Sequence, residues 1–193
     1  MLLGVNFCIS GTGGIWAWLE EMFIIDFLRG RCLMNETGLE IFLNVSVNFP
    51  EINIVKYEYN NDLLIIEVVL TREIDSTQKE SFISKAQQHI NALHTLNRSK
   101  PETLSIRFKS VGGLTFLRLY RDAQTLGGKE INLFMTLLGE EFYDCLLDEG
   151  NSTARPSFRR QVEKDLLKKL GASSNTDYLF AYRDHGKLCM FNR

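Results

Sequence analysis

The stretch LSIRFKSVGGLTFLRLYR, residues 104–121, decides the fold because it contains two strands and the turn that joins them. Apolar and polar residues alternate on both sides of Gly112 and Gly113, which is the pattern of half-buried strands. Two consecutive glycines accept the positive φ angles that a two-residue hairpin turn requires. The stretch therefore predicts an antiparallel β-hairpin.

The same turn predicts which residues face each other across this hairpin. It pairs Phe108 with Leu117 and Ile106 with Leu119 on the side that points toward the core. The opposite side then carries basic and aromatic residues in the pairs Lys109 with Phe116, Arg107 with Arg118, and Ser105 with Tyr120. Like charges directly opposite each other are unfavourable, so that the arginine pair requires an anionic neighbour.

Patterns on both sides of the hairpin place it in an α+β fold. Residues 52–59 and 63–71 alternate and predict an earlier hairpin. Helical spacing predicts three helices, which follow the capping box TGLE at residues 37–40, the N-cap residue Asp75, and Gly128. The order α-ββ-α-ββ-α gives a four-stranded, mainly antiparallel sheet, made from two hairpins and covered by helices on one face.

Composition divides the chain into four parts. Residues 1–33 form an apolar leader that we expect to lie outside the fold, and residues 34–147 form the α+β core domain. Residues 148–157 (DEGNSTARPS) are typical of a linker. Residues 158–193 predict a C-terminal helix and β-hairpin. Because an isolated hairpin is marginal in water, we expect this appendage to pack on the main sheet or on another subunit.

The leader has two interpretations. Its apolar run IWAWLEEMFIIDFL, residues 15–28, is suited to an interfacial anchor or a partner-binding helix. Alternatively, the true start is Met34, because in a bacterial gene residues 29–33 can be encoded by purine-rich codons that resemble a ribosome-binding site. Acidic residues interrupt the run, so that we expect neither a signal peptide nor a transmembrane segment. The earlier glycines, in SGTGG at residues 10–14, lack the lysine of a phosphate-binding loop.

Overall composition excludes several classes of protein. The 193 residues are 45% hydrophobic and 24% charged, which is ordinary for a globular chain. A net charge of −2 provides no bulk attraction to nucleic acid or membrane, so that any such binding requires a local patch. Four scattered cysteines, without a Cys-x-x-Cys pair, indicate a reduced, cytoplasmic protein without a zinc site. We expect no cofactor.

No set of residues has the spacing of a catalytic centre. His89 and His94 lie five positions apart on one predicted helix, which places them on different faces and makes them a poor metal pair. We expect His89 beside the core stripe and His94 in solvent. The pair Arg121 and Asp122 is expected to be a surface ion pair. We therefore predict no catalytic and no metal-binding residues, and an enzyme of unidentified class is only a third interpretation.

The sheet face that points away from the helices, which we call the outer face, is compatible with two functions. Leu63, Ile65 and Val69 make part of it a packing surface, while Glu58 and Glu67 neutralise its cations. This favours a non-enzymatic interaction protein that self-associates as a homodimer or docks a protein partner.

The alternative is a platform for single-stranded RNA, on which bases stack on aromatic rings while cations hold phosphates. No motif for reading DNA sequence is present. For either function, the predicted binding residues are Lys56, Arg107, Lys109, Phe116, Arg118 and Tyr120 on the sheet, and Arg160, Lys164 and Lys168 on the C-terminal helix.

Overall fold

The computed structural model describes residues 7–8, 36–147, 177–184 and 187–192. The helices of this part are α1 (Glu36–Asn48), α2 (Ser76–Leu96) and α3 (Gly128–Phe142). Its strands are β1 (Phe7–Cys8), β2 (Ile54–Glu58), β3 (Leu63–Leu70), β4 (Leu104–Val111), β5 (Leu114–Asp122), β6 (Tyr178–Asp184) and β7 (Lys187–Asn192). From α1 to α3 the order is the predicted α-ββ-α-ββ-α.

All the strands belong to one antiparallel sheet with the order β1-β7-β6-β2-β3-β5-β4. The α+β class with an antiparallel sheet is confirmed, but the predicted width of four strands is wrong. In the C-terminal hairpin, β6 pairs with the whole length of β2, for example Ala181 with Val55. Six strands of five or more residues are therefore joined. Hydrogen bonding to β2 gives the hairpin the support that it would lack in isolation.

Several expectations fall on parts of the chain that the structure does not describe. The linker at residues 148–157 and the C-terminal helix that begins at residue 158 lie outside the described residues, as does His185. In the leader only Phe7–Cys8 is described, and it pairs with β7 opposite Met190 and Cys189. The proposed division of the chain and the start at Met34 stay predictions.

The helices lie on one face of the sheet, which we call the helix face. One buried cluster joins residues of all three helices, including Phe42, Phe82 and Phe134. Its strand members alternate with residues outside the cluster, and they are Val55, Tyr57, Leu64, Ile66, Val68, Leu70, Ile106, Leu117, Leu119, Leu179, Ala181, Leu188 and Met190. The residues between them point to the outer face.

A local signal explains how α2 begins, whereas α1 begins one residue before its predicted capping box. The Oδ1 of Asp75 accepts a hydrogen bond of 2.9 Å from the backbone N–H of Gln78, which confirms the predicted N-cap of α2. Helix α1 begins at Glu36, so that Thr37 lies in its first turn instead of preceding it.

Candidate interaction site on the outer face

The second predicted hairpin has the predicted turn and register. Gly112 and Gly113 have φ angles of 61° and 83°, as a two-residue turn requires. The Cα partners across β4 and β5 include Lys109 with Phe116, Arg107 with Arg118, and Ser105 with Tyr120. Five of the predicted binding residues are therefore neighbours on the outer face. We call this group, Arg107, Lys109, Phe116, Arg118 and Tyr120, the cationic patch.

Arg118 has the anionic neighbour that the sequence requires. It lies directly opposite Glu67 of β3, and its Nε donates a hydrogen bond to the Glu67 carboxylate. The Glu67 side chain is buried, whereas that of Arg118 is 39% exposed. The hydrogen bond to Glu67 raises the pKa of Arg118 above its usual value. The positive charge of Arg118 is therefore neutralised within the sheet.

Arg107 is held by an aromatic ring and a hydroxyl group. Its guanidinium carbon lies 5.0 Å from the centroid of the Tyr120 ring, which is a cation–π distance. Its Nε donates a long hydrogen bond of 3.4 Å to the Oγ of Ser105. The Arg107 side chain is exposed. One face of the Tyr120 ring is thus occupied by a cation from the same sheet.

Lys109 lies at the open end of the patch. It is exposed and faces the half-buried Phe116 across the hairpin. Within the described part of the chain neither Lys109 nor Arg107 forms an ion pair with a carboxylate. The cationic patch therefore presents two uncompensated positive charges beside an aromatic side chain.

Lys56 does not belong to this patch. It lies on β2 opposite Ile65, and Ile65 separates it from Tyr120 on β5. Its Nζ is 2.7 Å from Glu58 Oε1 and 4.4 Å from the centroid of the Tyr178 ring. The hydrogen bond from Lys56 lowers the pKa of Glu58. The remaining predicted residues, Arg160, Lys164 and Lys168, lie outside the described residues.

The other half of the outer face is aromatic. The rings of Phe180 and Phe191 stack with centroids 4.8 Å apart, and Tyr182 lies 6.1 Å from each. Beside them, Ile65 is half-buried and Val69 is buried. The outer face thus carries the cationic patch at β4 and β5, apolar side chains and Glu67 at β3, the Lys56–Glu58 ion pair at β2, and aromatic rings at β6 and β7.

Three sequence-based expectations are wrong, and two of them concern a second cluster of charged residues, on the helix face. Arg121 is fully buried instead of forming a surface ion pair. Its Nε donates to Glu130 Oε1 at 2.6 Å, and its Nη2 donates to Glu130 Oε2 at 3.0 Å. His94, which the sequence places in solvent, is buried instead, and its Nε2 lies 2.8 Å from Glu130 Oε2. His89 is exposed, not packed beside the core.

Asp122 completes this buried cluster. Its carboxylate accepts hydrogen bonds from Arg121 Nη1, from the backbone N–H of Thr103 at 3.0 Å, and from the backbone N–H of Thr125 at 3.1 Å. Burial alone would raise the pKa of Asp122, but the hydrogen bonds from Thr125 and Thr103 and the charge of Arg121 outweigh burial and lower it. We call Arg121, Asp122, Glu130 and His94 the buried charge cluster.

The buried charge cluster is held by contacts within the fold. Its four side chains are buried and use polar atoms on one another, on the Thr103 carbonyl and on the hydroxyl groups of Ser99 and Thr125. The cluster joins α2, the end of β5 and the start of α3. The sequence contains one signal for the position of Arg121, which lies on the same side of β5 as the inward-facing Leu117 and Leu119.

Neither a membrane span nor a metal site is found in the part of the chain that the structure describes. None of the described helices is long and apolar enough to cross a membrane, and the described residues contain no group of three or more metal-ligating side chains. Comparison of the chain with protein-family models, curated proteins and solved structures finds no match.

Proposed function

We propose that the protein is a cytoplasmic, non-enzymatic interaction protein whose cationic patch docks an acidic segment of a partner protein. The observation that supports this most directly is the exposure of Arg107 and Lys109, which have no carboxylate partner among the described residues. Carboxylates of a partner would complement these charges, and apolar side chains of the same segment would contact Phe116. Charge complementarity of this kind determines specificity and the rate of association.

The environment of the rings favours a protein partner over single-stranded RNA. Base stacking needs free aromatic faces next to free cations. Tyr120 already carries the Arg107 guanidinium on one face, and Arg118 is neutralised by Glu67. Lys56, the third cation of the RNA interpretation, is paired with Glu58.

The same charges favour a partner over a second copy of this chain. If two copies met through their cationic patches, Arg107 and Lys109 of one copy would approach the same residues of the other. Like charges in contact are destabilising, and no acidic residue of the patch is left to compensate them, since Glu67 is engaged by Arg118. We therefore assign the patch to an acidic partner.

Peptide binding to the full chain tests this proposal. The probe is a fluorescein-labelled octapeptide of alternating valine and glutamate, and its binding is measured by fluorescence anisotropy. We expect the double variant Arg107→Glu/Lys109→Glu to weaken binding at least about tenfold, since each lost charge pair is replaced by repulsion. The matched control is Lys100→Glu/Lys129→Glu, which changes the net charge equally at two exposed lysines outside the patch. This control should bind within about twofold of the wild type.

A second probe, labelled oligouridylate, separates the two classes of partner. Tighter binding of oligouridylate than of the peptide, with loss of that binding in Arg107→Glu/Lys109→Glu, would overturn the proposal in favour of RNA. Equal losses in the patch variant and the control variant would also overturn it, because net charge alone would then explain the binding. Absence of peptide binding at low salt contradicts the proposal directly.

A further inference from the structure

We infer that the acidic partner segment binds in an extended conformation, as an antiparallel strand added to the free edge of β4. This inference rests on the proposed function, because it specifies how the acidic segment docks beside the cationic patch. In β-strand addition, main-chain hydrogen bonds supply affinity and alternate side chains supply specificity. The edge, the side-chain pattern and the charges of β4 all suit this mode.

In the described part of the chain, β4 ends the sheet order and pairs only with β5, so that its other edge is unpaired there. The strand is eight residues long. A two-residue turn makes Val111 and Leu114 a hydrogen-bonded pair, and such pairs recur at every second residue. Arg107 and Lys109 therefore direct their backbone groups toward β5, while Ile106, Phe108 and Ser110 direct theirs toward the free edge.

This parity predicts the sequence pattern of the added strand. Residues opposite Ile106 and Phe108 would form hydrogen-bonded pairs and project toward the helix face, where the half-buried Phe108 ring lies 6.0 Å from that of Phe82. Apolar side chains fit there. Residues opposite Arg107 and Lys109 would form non-hydrogen-bonded pairs, whose side chains lie closer together, and would project toward the outer face. Acidic side chains fit there.

The two cations also exclude the commonest competitor for a free edge. Exposed edge strands are prone to pair with a second copy, and charged residues on the edge prevent this. Antiparallel pairing of two β4 strands about the Phe108 position would place Arg107 of each copy opposite Lys109 of the other. Such an edge rejects its own copy, whereas a strand with carboxylates at alternate positions converts both repulsive contacts into ion pairs.

Backbone methylation of the peptide tests the mode of binding. In the alternating octapeptide, N-methylation of two central valines removes the N–H groups that would donate to β4, whereas N-methylation of two central glutamates removes N–H groups that would point away. With the full chain, we expect the N-methylvaline peptide to bind at least about tenfold more weakly and the N-methylglutamate peptide to bind within about threefold of the parent.

Amide hydrogen exchange followed by NMR gives a second readout on the protein. Binding of the parent peptide should slow exchange at Ile106, Phe108 and Ser110, and leave Arg107 and Lys109 unchanged because they already donate to β5. If the parent peptide binds but both methylated peptides bind equally and these amides are unaffected, strand addition is overturned and docking on the cationic patch survives. If the parent peptide does not bind, the proposed function itself fails. Selective loss with N-methylglutamate would overturn the antiparallel alignment.

Discussion

Arg118 and Arg121 lie three positions apart on β5, and yet they are in opposite environments. The Arg121 side chain has no exposed area and contacts two carboxylates, whereas that of Arg118 is 39% exposed and contacts one. Arg121 belongs to the helix face, where α2 and α3 close over it. Arg118 belongs to the outer face, where no described helix covers it. The difference shows that the same residue type is enclosed in a buried ion-pair network on one face and stays partly exposed, with a single ion pair, on the other.

The largest expected effect of this difference is on stability. Arg121→Ala would leave the buried carboxylates of Glu130 and Asp122 without their counter-charge, which costs about 3–5 kcal/mol in the free energy of unfolding. Arg118→Ala should cost less, because the Arg118 side chain is 39% exposed and its removal lets water reach the Glu67 carboxylate. Urea unfolding followed by circular dichroism measures both values. Similar losses for the two variants would contradict the contrast between the faces.

A second test concerns how tightly the helix face is packed. A Cβ atom built on Gly38 of α1 would lie 2.2 Å from the hydroxyl oxygen and 2.3 Å from Cζ of Tyr57, which is itself buried. Because the Tyr57 ring is buried and its hydroxyl donates a hydrogen bond to Asp62, Gly38→Ala should destabilise the protein by about 1–3 kcal/mol. Gly139→Ala in α3 is the matched control, since nothing lies within 4 Å of its added Cβ. There the better helix propensity of alanine should stabilise by about 0.5–1 kcal/mol.

If the ring of Tyr57 leaves no space beside Gly38, the two alanine variants change the free energy of unfolding in opposite directions. Thermal unfolding of both, in the same buffer, is sufficient to compare them. If Gly38→Ala leaves the melting temperature unchanged or raises it, α1 shifts away from β2 without cost. The helix face would then be less tightly packed than the distances indicate.

A third test compares the acid sensitivity of the buried charge cluster with that of the exposed ion pair between Lys56 and Glu58. Hydrogen bonds and Arg121 hold the pKa of Asp122 below its usual value, so that the unfolded chain takes up its proton first as the pH falls. Asp122 therefore contributes stability that is present above the unfolded pKa of about 3.9 and is lost as the pH falls through the lower folded pKa. Asp122→Asn removes this contribution.

The wild-type protein should accordingly lose more stability than Asp122→Asn between about pH 5 and about pH 2. Urea midpoints at several pH values measure the difference. Glu58→Gln on the outer face is the comparison, because the pKa of Glu58 is also lowered, by its hydrogen bond with the half-exposed Lys56. Its effect on the acid profile should be the smaller of the two, because solvent screens the exposed pair. Equal acid sensitivity of the wild type and Asp122→Asn would contradict the assignment.

The register of the second hairpin was predictable because a Gly-Gly turn leaves little freedom. Once Gly112 and Gly113 take both turn positions, alternation determines the face of every residue from Ser105 to Tyr120. The cationic patch follows directly. The partner of Arg118 was also predictable, since Glu67 lies at an outer-face position of the neighbouring hairpin. Glu58, which was expected to help neutralise the arginines, pairs with Lys56 instead.

The buried charge cluster was not predictable from the same alternation. Parity places Arg121 inward, but a charged residue at a strand end belongs to the surface unless partners surround it. Those partners, Glu130 and His94, lie on two helices, and sequence patterns do not specify how two helices pack on each other. The width of the sheet was missed for a related reason, because the residues of β6 do not reveal which strand they will pair with.

The smallest expected effect concerns peptide binding at the outer face, and it is a gain in affinity. Glu67→Gln keeps a hydrogen-bond acceptor for Arg118 but removes the negative charge at the centre of the cationic patch. Binding of the alternating valine-glutamate peptide should therefore strengthen, by about two- to fivefold, while the free energy of unfolding changes by less than about 1 kcal/mol. Glu58→Gln should leave peptide binding unchanged, because Ile65 separates Lys56 from the patch. Weaker binding by Glu67→Gln would mean that Arg118 must be held by a carboxylate to present the patch, and that the outer face is as preorganised as the helix face.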